Sequence, residues 1–251
     1  MEYDLDIVMP VYNEGENIHD VIRALLQNVK SKFRLLICYD FEEDNTIPNA
    51  KTHDFGDNEL VFVINQGKGA HGAIMSGIAA STSAAVLIMP ADDDYNAQRL
   101  DAMVKLIADG NVVVTPCRFM PGGCFKGCSL FKATLTRTAA WALRNVARLP
   151  TRDGTNGFRM FSLSLLRQIP VESEVGFAYS LEILAKAHRL GLPIAEYPVE
   201  WHARKFGESR FRTLRWIPQY LEWLRYAMAT TYLRRGKDSV ILKKQPNENK
   251  S

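Results

Sequence analysis

Apolar and amphipathic stretches alternate through roughly the first 118 residues of the chain. Short apolar runs bounded by polar loops predict five buried strands, at residues 5–12, 33–39, 60–64, 86–89 and 112–116. Between these runs, the sequence predicts helices at residues 18–29, 66–81 and 98–108, the first from apolar residues at helical spacing. Strands that alternate with helices are typical of an α/β fold with a largely parallel sheet.

The second half of the chain has longer helical patterns and fewer strands. Helices are predicted at residues 131–148, 177–189 and 213–235, and strands at residues 158–161 and 194–202. The last helix carries apolar residues along one face, and Pro218 is expected to kink it or to end its first turn. The polar residues 245–251 predict a disordered tail.

The apolar run at residues 86–89 leads directly into candidate chemistry. Pro90 ends this strand because it has no N–H to donate, and Asp92, Asp93 and Asp94 follow it. Open α/β sheets bind ligands at the carboxyl ends of their strands. On an extended backbone Asp92 and Asp94 point to the same side, where two carboxylates repel each other unless a cation lies between them. The pattern predicts a Mg²⁺ or Mn²⁺ site, although a solvated turn explains three aspartates taken alone.

Three other predicted strand ends carry polar groups. Tyr12 and Glu14 follow the first strand, Asp40 follows the second, and Lys68 follows the third. Since parallel strands end at one edge of a sheet, these side chains are expected around a common nucleotide site. The turn at Lys68 matches neither G-x-x-x-x-G-K-[ST] nor G-x-G-x-x-G, so by itself it indicates only the entry to a helix.

Composition and charge narrow the class of protein. The chain has 251 residues, 47% hydrophobic and 24% charged, as in an ordinary globular protein. No signal peptide or membrane-spanning run is expected, and four cysteines without zinc-ligand spacing fit a reducing compartment. Residues 203–251 carry a net charge of +8 and the remaining residues a net charge of −5. The basic C-terminal region is therefore expected to meet an anionic partner such as phosphate, nucleic acid or lipid head groups.

Six short motifs follow one another between about residues 4 and 211. They are V-M-P-V-Y-N-E at 8–14, Asp40, G-K-G-A at 67–70 with Gly77, A-D-D-D at 91–94, Asp153 with G-F-R at 157–159, and a closing set of Glu182, Glu196-x-Pro198 and Arg204-x-x-Gly207-x-Ser209-Arg210. In this order they resemble the motifs of family 2 glycosyltransferases of GT-A fold, and most closely those of the dolichyl- and polyprenyl-phosphate mannose synthase group.

The resemblance implies a particular domain organisation. The fold expected is a GT-A (Rossmann-like) α/β fold, with a mostly parallel sheet flanked by helices and a C-terminal amphipathic helix. The catalytic domain is expected at residues 1–212, divided into a nucleotide-binding half at 1–118 and an acceptor half at 119–212. An amphipathic helical segment at 213–244 and the disordered tail would follow it.

Two departures from the family pattern concern the donor site. Relatives often have D-A-D at the metal site, whereas Pro90 replaces the first aspartate here, so the metal is expected on Asp92 and Asp94. The acidic loop at residues 41–46 replaces a Ser-rich loop that borders the nucleobase pocket in relatives. The nucleotide-sugar therefore stays open between GDP-mannose and a UDP-hexose.

The chemistry that the resemblance implies is inverting transfer of a sugar by in-line attack at the anomeric carbon. Mg²⁺ or Mn²⁺ on Asp92 and Asp94 would offset the charge that develops on the diphosphate leaving group. The implied donor-binding residues are Pro10, Tyr12, Glu14, Asp40, Lys68 and Asp92. The implied catalytic residues are Asp92, Asp94, Arg204 and Glu182, the last acting either as a base or in an ion pair that orients an arginine.

The class of acceptor depends on whether a base is needed. A sugar hydroxyl must lose a proton as it attacks, whereas a phosphate is already anionic near neutral pH and needs basic groups instead. The chain lacks the Q-x-x-R-W signature of processive polysaccharide synthases. Residues expected to bind the acceptor or its phosphate are Arg118, Lys132, Arg137, Arg159, Arg204, Ser209 and Arg210. These points favour a polyprenyl phosphate acceptor, and a hydroxyl acceptor in polysaccharide or glycolipid synthesis is the alternative.

A lipid acceptor also implies a place of action. The enzyme is expected in the cytoplasm, peripheral at the inner face of the membrane, through direct contact or a membrane-embedded partner. Trp216, Tyr220 and Trp223 in the basic C-terminal region suit an interfacial helix, but packing on the body explains them equally well. A nucleic-acid-binding protein leaves the aspartate cluster unexplained, so no nucleic acid partner is expected. Sugar-phosphate nucleotidylyltransferases have a Gly-rich loop where this chain has residues 12–14.

Overall fold

A seven-stranded sheet lies at the centre of the fold, which comes from a computed structural model that describes residues 2–202 and 213–243. The strands in chain order are β1 (Leu5–Pro10), β2 (Phe33–Tyr39), β3 (Glu59–Ile64), β4 (Ala85–Ile88), β5 (Val113–Cys117), β6 (Cys124–Lys126), β7 (Arg159–Ser162), β8 (Ile194–Pro198) and β9 (Glu200–His202). The α-helices are α1 (Ile18–Asn28), α2 (Thr46–Ala50), α3 (Gly69–Ala80), α4 (Leu100–Ala108), α5 (Leu130–Trp141), α6 (Leu163–Gln168), α7 (Ala178–Leu190) and α8 (Thr213–Tyr232).

The main sheet has the strand order β3-β2-β1-β4-β7-β5-β8. Its strands are parallel except for β7, which runs antiparallel between β4 and β5. The strands β6 and β9 form a second, two-stranded parallel sheet. The prediction of a mostly parallel sheet flanked by helices is confirmed.

Several predicted elements have different bounds in the structure. The strand predicted at 194–202 is divided at Val199, because β8 pairs with β5 in the main sheet and β9 pairs with β6. The helix predicted at 131–148 ends as α5 at Trp141 and continues as a π-helix, Ala142–Val146. The C-terminal helix ends at Tyr232 and contains Pro218 in its interior. The short elements α2, α6 and β6 have too few residues to show a periodic pattern.

Helices cover both faces of the main sheet. Leu5, Ile7 and Met9 of β1 pack with α1 and α4 on one side, whereas Val8 packs with α3 and α7 on the other. Contact between α3 and the sheet requires a glycine at position 77. A Cβ added to Gly77 would lie 2.4 Å from Cγ1 of Val8, which real Cβ atoms do not tolerate.

The helix α8 packs on α7. The Trp223 side chain is 3% exposed, and its Nε1 donates to Oγ of Ser173 over 2.8 Å. Tyr220 is half-buried against the same apolar cluster. Of the two alternatives for this helix, packing on the body is therefore the one observed for Tyr220 and Trp223. The side chain of Trp216 lies outside the part that the structure describes.

Two further predictions concern membrane-spanning helices and the C-terminal region. Within residues 2–202 and 213–243, no helix has the combination of length and apolar character needed to span a bilayer. Arg204, Ser209, Arg210 and the predicted disordered tail fall in residues 203–212 and 244–251, outside the described residues.

Candidate functional site

The loop after β4 presents the predicted metal ligands at the edge of the main sheet. Asp92 is exposed and Asp94 half-buried, whereas Asp93 between them is buried. The Asp93 carboxylate accepts hydrogen bonds from the backbone N–H of Asn96 over 3.1 Å and from its side-chain amide over 2.8 Å. Burial raises the pKa of Asp93 to about 7 in spite of these bonds. Asp93 therefore anchors the loop, and its two neighbours remain accessible as ligands.

This aspartate loop is fixed against β9. The side chain of Asn96 donates to the backbone carbonyl of Glu200 and accepts from its N–H, both over 3.0 Å. The backbone N–H of His202 donates to the Tyr95 hydroxyl over 3.3 Å, and the two rings meet edge-on with centroids 4.8 Å apart. The loop that carries the candidate metal ligands is thus held to β9.

The loop that carries Glu14 is held by the acidic loop after β2. The buried Asp44 carboxylate accepts from the N–H of Asn13 over 3.0 Å, and Oγ1 of Thr46 accepts from the N–H of Glu14 over 3.0 Å. Asn13 has a φ of 52°, in the left-handed region that asparagine tolerates better than most residues. The segment that departs from the family pattern therefore positions the predicted nucleoside loop.

Two aromatic rings contact each other beside this loop. Tyr12 is 45% exposed and lies edge-on to Phe41, with ring centroids 5.6 Å apart. Pro10 ends β1 and is partly buried. Phe41 was not predicted as a site residue, because a single aromatic in an acidic loop has no distinguishing pattern.

Asp40 and the glycine turn before α3 are linked through Asn65. The Asn65 side-chain amide donates to Oδ1 of Asp40 over 2.5 Å and to the carbonyl of Gly69 over 3.1 Å. A Cβ added to Gly72 would lie 2.6 Å from Oδ1 of Asn65, so this close approach requires a glycine. The turn that carries Lys68, exposed at the start of α3, is thereby linked to Asp40 through Asn65. Asn65 was missed because it lies outside the recognised motifs.

The half of the chain predicted to bind the acceptor contains a buried charge network around Asp153. The Asp153 carboxylate accepts from Nε of Arg118 over 2.6 Å and from its Nη2 over 2.8 Å. Arg159 is fully buried and donates to the carbonyls of Ser180 over 2.6 Å and Asp153 over 3.3 Å. Burial lowers the pKa of Arg159 to about 10, so the group is still charged near neutral pH.

The burial of Arg159 disagrees with the prediction that it contacts the acceptor phosphate. No part of its side chain reaches solvent, and two of its N–H groups are used by backbone carbonyls. These contacts are those of a residue that positions the loop containing Asp153.

Three of the predicted basic residues lie around one group of aromatic rings. Arg118 lies 4.8 Å from the ring centroid of Phe125, Lys132 5.3 Å from that of Trp201, and Arg137 6.0 Å from that of Phe119. We call these six residues the cation–aromatic cluster. Phe125 and Trp201 lie on the paired strands β6 and β9, so pairing of strands distant in sequence assembles the cluster. The sequence pattern does not reveal Phe119 and Phe125 for that reason.

Glu182 lies inside α7 and is fully buried. Its carboxylate accepts from the N–H groups of Glu172 over 2.7 Å and Ser173 over 2.8 Å, and from Nζ of Lys186 over 2.6 Å. Of the two roles considered for Glu182, base or ion pair, the structure shows an ion pair, with a lysine rather than an arginine.

Three side chains of types that can bind metals lie close together beside the aspartate loop. Within the described residues, ligand atoms of Cys124, Glu200 and His202 all lie within 4.8 Å of one another. The cysteine spacing gave no sign of this group, because pairing of β6 with β9 brings Cys124 opposite Glu200. Glu200 is already bound to Arg99 over 2.7 Å and to His202 over 3.0 Å, and these contacts account for its charge.

Relatives of known activity cover most of the chain at low identity. A polyprenol monophosphomannose synthase of Mycolicibacterium smegmatis is 22% identical over 211 residues, which cover 81% of this chain and 79% of that protein. A dolichol-phosphate mannosyltransferase of Pyrococcus furiosus is 20% identical over 230 residues, which cover 87% of this chain and 64% of that protein.

Solved structures confirm the architecture. Glucosyl-3-phosphoglycerate synthase from Mycobacterium tuberculosis, in complex with uridine diphosphate, superposes with a TM-score of 0.63 at 20% identity, over 89% of this chain and 80% of that one. The same enzyme has been solved with Mn²⁺, uridine diphosphate and glucosyl-3-phosphoglycerate, with a TM-score of 0.60. The GT-A fold is therefore shared.

The model of one protein family matches the greater part of this chain. The glycosyl transferase family 2 model covers residues 6–172, from β1 through the aspartate loop to the segment after α6. Since this match exceeds half of the chain, the protein belongs to glycosyl transferase family 2.

Proposed function

We propose that this chain transfers a hexose, with inversion, from GDP-mannose or a UDP-hexose to a polyprenyl phosphate at a membrane surface. The observation that carries the proposal is the position of Asp92 and Asp94. They lie accessible at the end of β4, and the loops that hold Glu14, Asp40 and Lys68 lie at the same edge of the sheet. This edge is where open α/β sheets bind nucleotides.

The donor set of this loop fits a hard divalent cation. Asp92 and Asp94 offer carboxylate oxygens, the ligands that Mg²⁺ and Mn²⁺ prefer, and Asp93 with Asn96 fixes the loop that presents them. When bound there, Mg²⁺ or Mn²⁺ would offset the negative charge of the diphosphate leaving group. The Mn²⁺ and uridine diphosphate in a structural neighbour support this assignment.

The chain's own side chains would bind the nucleoside. Glu14 and Asp40 are acceptors for ribose hydroxyls or base N–H groups, and Lys68 supplies a positive charge beside them. Tyr12 and Phe41 offer aromatic surface for the base, next to the end of β1 at Pro10. Hydrogen bonds that Asp44 and Thr46 accept, and one that Asn65 donates, hold these loops before a nucleotide-sugar binds.

The state of Glu182 supports a phosphate acceptor. A hydroxyl acceptor requires a carboxylate that can accept its proton, and Glu182 is buried with both oxygens bonded. A phosphate needs only cations, and Lys132 and Arg137 of the cation–aromatic cluster supply them. Arg118 and Arg159 would position this surface, and Arg204, Ser209 and Arg210 would complete it from the closing motif. The names of two relatives, which act with polyprenol and dolichol phosphates, support the same acceptor.

A lipid acceptor places the reaction at a bilayer, and we propose its cytoplasmic face. All four cysteines are free, which suits a reducing compartment. The chain would then reach the lipid as a peripheral protein or through a membrane-embedded partner.

A transfer assay with a panel of donors tests the proposal. The purified protein is mixed with Mn²⁺, a GDP- or UDP-sugar, and a short-chain polyprenyl phosphate dispersed in detergent, and products are identified by mass spectrometry. We expect the mass of the lipid phosphate to rise by one hexose with one class of donor. The matched control acceptor is the same polyprenol without phosphate. Transfer to the alcohol or to a glycan hydroxyl, with none to the phosphate, would instead support the alternative acceptor class.

Substitution of the aspartates tests the metal assignment in the same assay. Asp92→Ala and Asp94→Ala should each abolish turnover, and calorimetry should show that Mn²⁺ no longer tightens binding of the nucleoside diphosphate. Asp57→Ala is the control. It removes an exposed carboxylate that is distant in sequence from Asp92 and Asp94, and it should behave as wild type. Normal Mn²⁺-dependent binding by both aspartate variants would remove these residues from the metal site.

A further inference from the structure

The helix α5 exposes large apolar side chains that nothing in the described chain covers. Leu130 is 87% exposed, Phe131 75%, Trp141 60% and Leu135 36%. Ala140 on the opposite side is buried, so the helix contacts the body through small residues and turns its larger ones outward. Isolated exposed leucines are common, but two aromatic and two aliphatic side chains on one short helix form a patch. We call these four residues the α5 apolar face.

Positive charge surrounds the α5 apolar face. Residues 110–152 contain seven Lys or Arg and no Asp or Glu, in a chain whose other residues hold all 28 acidic groups. Lys126, Arg137, Arg144 and Arg148 are exposed before, on and after the helix. A stretch of this length without one carboxylate is selective for an anionic partner. Apolar side chains with flanking Lys and Arg are the composition of helices that lie in the interface of a membrane.

The C-terminal helix does not offer an equivalent face in its described part. Trp223 and Tyr220 pack inward, and Arg189 covers Tyr226 with its guanidinium 3.2 Å from the ring centroid. Of the three aromatic side chains that made this helix a membrane candidate from sequence, Tyr220 and Trp223 are thus used in packing on α7. In its described part α8 still exposes Leu221 (43%) and Tyr232 (54%), whereas α5 exposes two aromatic and two aliphatic side chains.

The position of α5 connects this face to the candidate site. Lys132 on α5 contacts Trp201 of β9, and Arg137 on α5 contacts Phe119. The strand β9 in turn holds the aspartate loop through Asn96 and Tyr95. A bilayer against α5 would therefore lie beside the cation–aromatic cluster, where the phosphate of an embedded lipid can meet it.

We propose that α5 is the membrane-docking element of this protein, and that its apolar face enters the head-group region of a bilayer containing anionic lipid. The purpose assigned to this contact, delivery of a lipid phosphate to the cluster, rests on the proposed function. The contact itself rests on exposure and charge, and it is measurable without any substrate.

Vesicle binding by the full chain tests the inference. Co-sedimentation is measured with phosphatidylcholine vesicles and with phosphatidylcholine–phosphatidylglycerol vesicles, at low and high salt and without polyprenyl phosphate. We expect binding to require the anionic lipid and to weaken with salt, since exposed charges are screened over about 8 Å at physiological ionic strength. The double variant Leu130→Ser/Phe131→Ser should bind at least about tenfold more weakly, because it removes apolar insertion. Arg144→Gln/Arg148→Gln should lose most of the dependence on anionic lipid.

A matched double variant controls for general loss of apolar surface. Ile241→Ser/Leu242→Ser alters two side chains that are 67% and 53% exposed but lie beside α6, where Lys243 bonds to Gln168. It should bind vesicles as wild type does. Equal loss in both double variants, or wild-type binding by the α5 variant, would overturn the assignment. So would absence of wild-type binding to anionic vesicles, or self-association in the ultracentrifuge that the α5 variant abolishes.

A second readout separates this inference from the proposed function. With detergent-dispersed short-chain polyprenyl phosphate, the α5 double variant should turn over at the wild-type rate, because neither side chain belongs to the donor or acceptor site. In vesicles its rate should fall with its binding. Salt-dependent docking by the wild type without transfer to any polyprenyl phosphate would keep α5 as the docking element and reject the proposed acceptor.

Discussion

The two halves of this protein use their motif residues in different ways. In the nucleotide-binding half, Asp92, Glu14 and Lys68 stand at the surface, and neighbouring side chains hold the loops beneath them. In the acceptor half, Asp153, Arg159 and Glu182 are fully buried. Arg159 donates to the backbone carbonyl of Asp153, and the Glu182 carboxylate accepts from the backbone N–H of Ser173. Family motif residues therefore lie at the accessible surface in one half and form an internal scaffold in the other.

The buried charges of the acceptor half each need a partner of opposite charge. A buried charge without a partner costs several kcal/mol, so removing one member of the pair Arg118–Asp153, or of the pair Lys186–Glu182, should destabilise the fold. An exposed carboxylate such as Asp92 has water as an alternative partner and contributes little to folding. Substitution of the buried charges in the acceptor half should thus mainly reduce stability. Substitution of the exposed groups in the nucleotide half should mainly reduce function.

The largest effect is expected at Asp153. Asp153→Ala leaves Arg118, whose side chain is 8% exposed, without its counter-charge, and should lower the free energy of unfolding by about 3–5 kcal/mol. Urea denaturation followed by circular dichroism measures this loss. Asp109→Ala breaks an exposed ion pair with Lys105 and should cost less than about 1 kcal/mol. Similar losses in the two variants would show that the buried network is not a scaffold.

The variant Glu182→Gln distinguishes a structural role of Glu182 from a role as general base. The change weakens a charged hydrogen bond to the buried Lys186 and should cost about 1.5–3 kcal/mol of stability. The turnover number per folded molecule should change less than about tenfold, whereas loss of a general base typically costs about 10²–10⁴-fold. Glu172→Gln alters a half-exposed partner of the same lysine and serves as the control. A loss of turnover in the larger range, at unchanged stability, would return Glu182 to catalysis.

How much of this could be predicted from sequence differs between the halves. Strands β1 to β5 were predicted within three residues at every end, because each is an apolar run that stops at a polar loop. The aspartate loop and its neighbours were placed at one edge because parallel strands share their carboxyl ends. Exposure of Asp92 followed from its position beyond the strand.

The acceptor half was harder to predict because its contacts join distant segments. The small sheet of β6 and β9 brings Phe125 to Trp201 and Cys124 to Glu200, and three-residue strands give no periodic signal. The burial of Arg159 could not be deduced either, since arginine is rarely fully buried and its partners are backbone carbonyls. A charged residue in a motif does not by itself reveal whether it faces a ligand or the core.

A buried carboxylate in the nucleotide half offers a pH test of the comparison. Burial alone would raise the pKa of Asp6, but hydrogen bonds from Arg34, Ser83 and Thr82 outweigh it and hold that pKa below its usual range. The stabilisation by Asp6 is therefore present above the unfolded pKa of about 3.9 and is lost as pH falls through the lower, folded value. The free energy of unfolding of the wild type should exceed that of Asp6→Asn by about 1.5 kcal/mol near neutral pH. This difference should disappear in acid.

Unfolding in urea across the acid range measures this gap. Asp57→Asn, an exposed carboxylate, should follow the wild-type curve at every pH. A gap that stays constant into acid would mean that the Asp6 pKa is not depressed, and that its contribution is packing.

The smallest effect on folding is expected at Thr46. Thr46→Val keeps the shape of a buried side chain but removes the oxygen that accepts from the N–H of Glu14, at a cost of about 1 kcal/mol. The loop that carries Glu14 is then less fixed, and ordering it becomes part of the cost of binding. Calorimetric affinity for a nucleoside diphosphate with Mn²⁺ should fall by roughly two- to tenfold. Thr52→Val, whose hydroxyl bonds only to Asn49 in an exposed turn, should leave that affinity unchanged. If both variants bind the nucleotide as tightly as wild type, the acidic loop supports the fold of the nucleotide half but does not prepare its donor site.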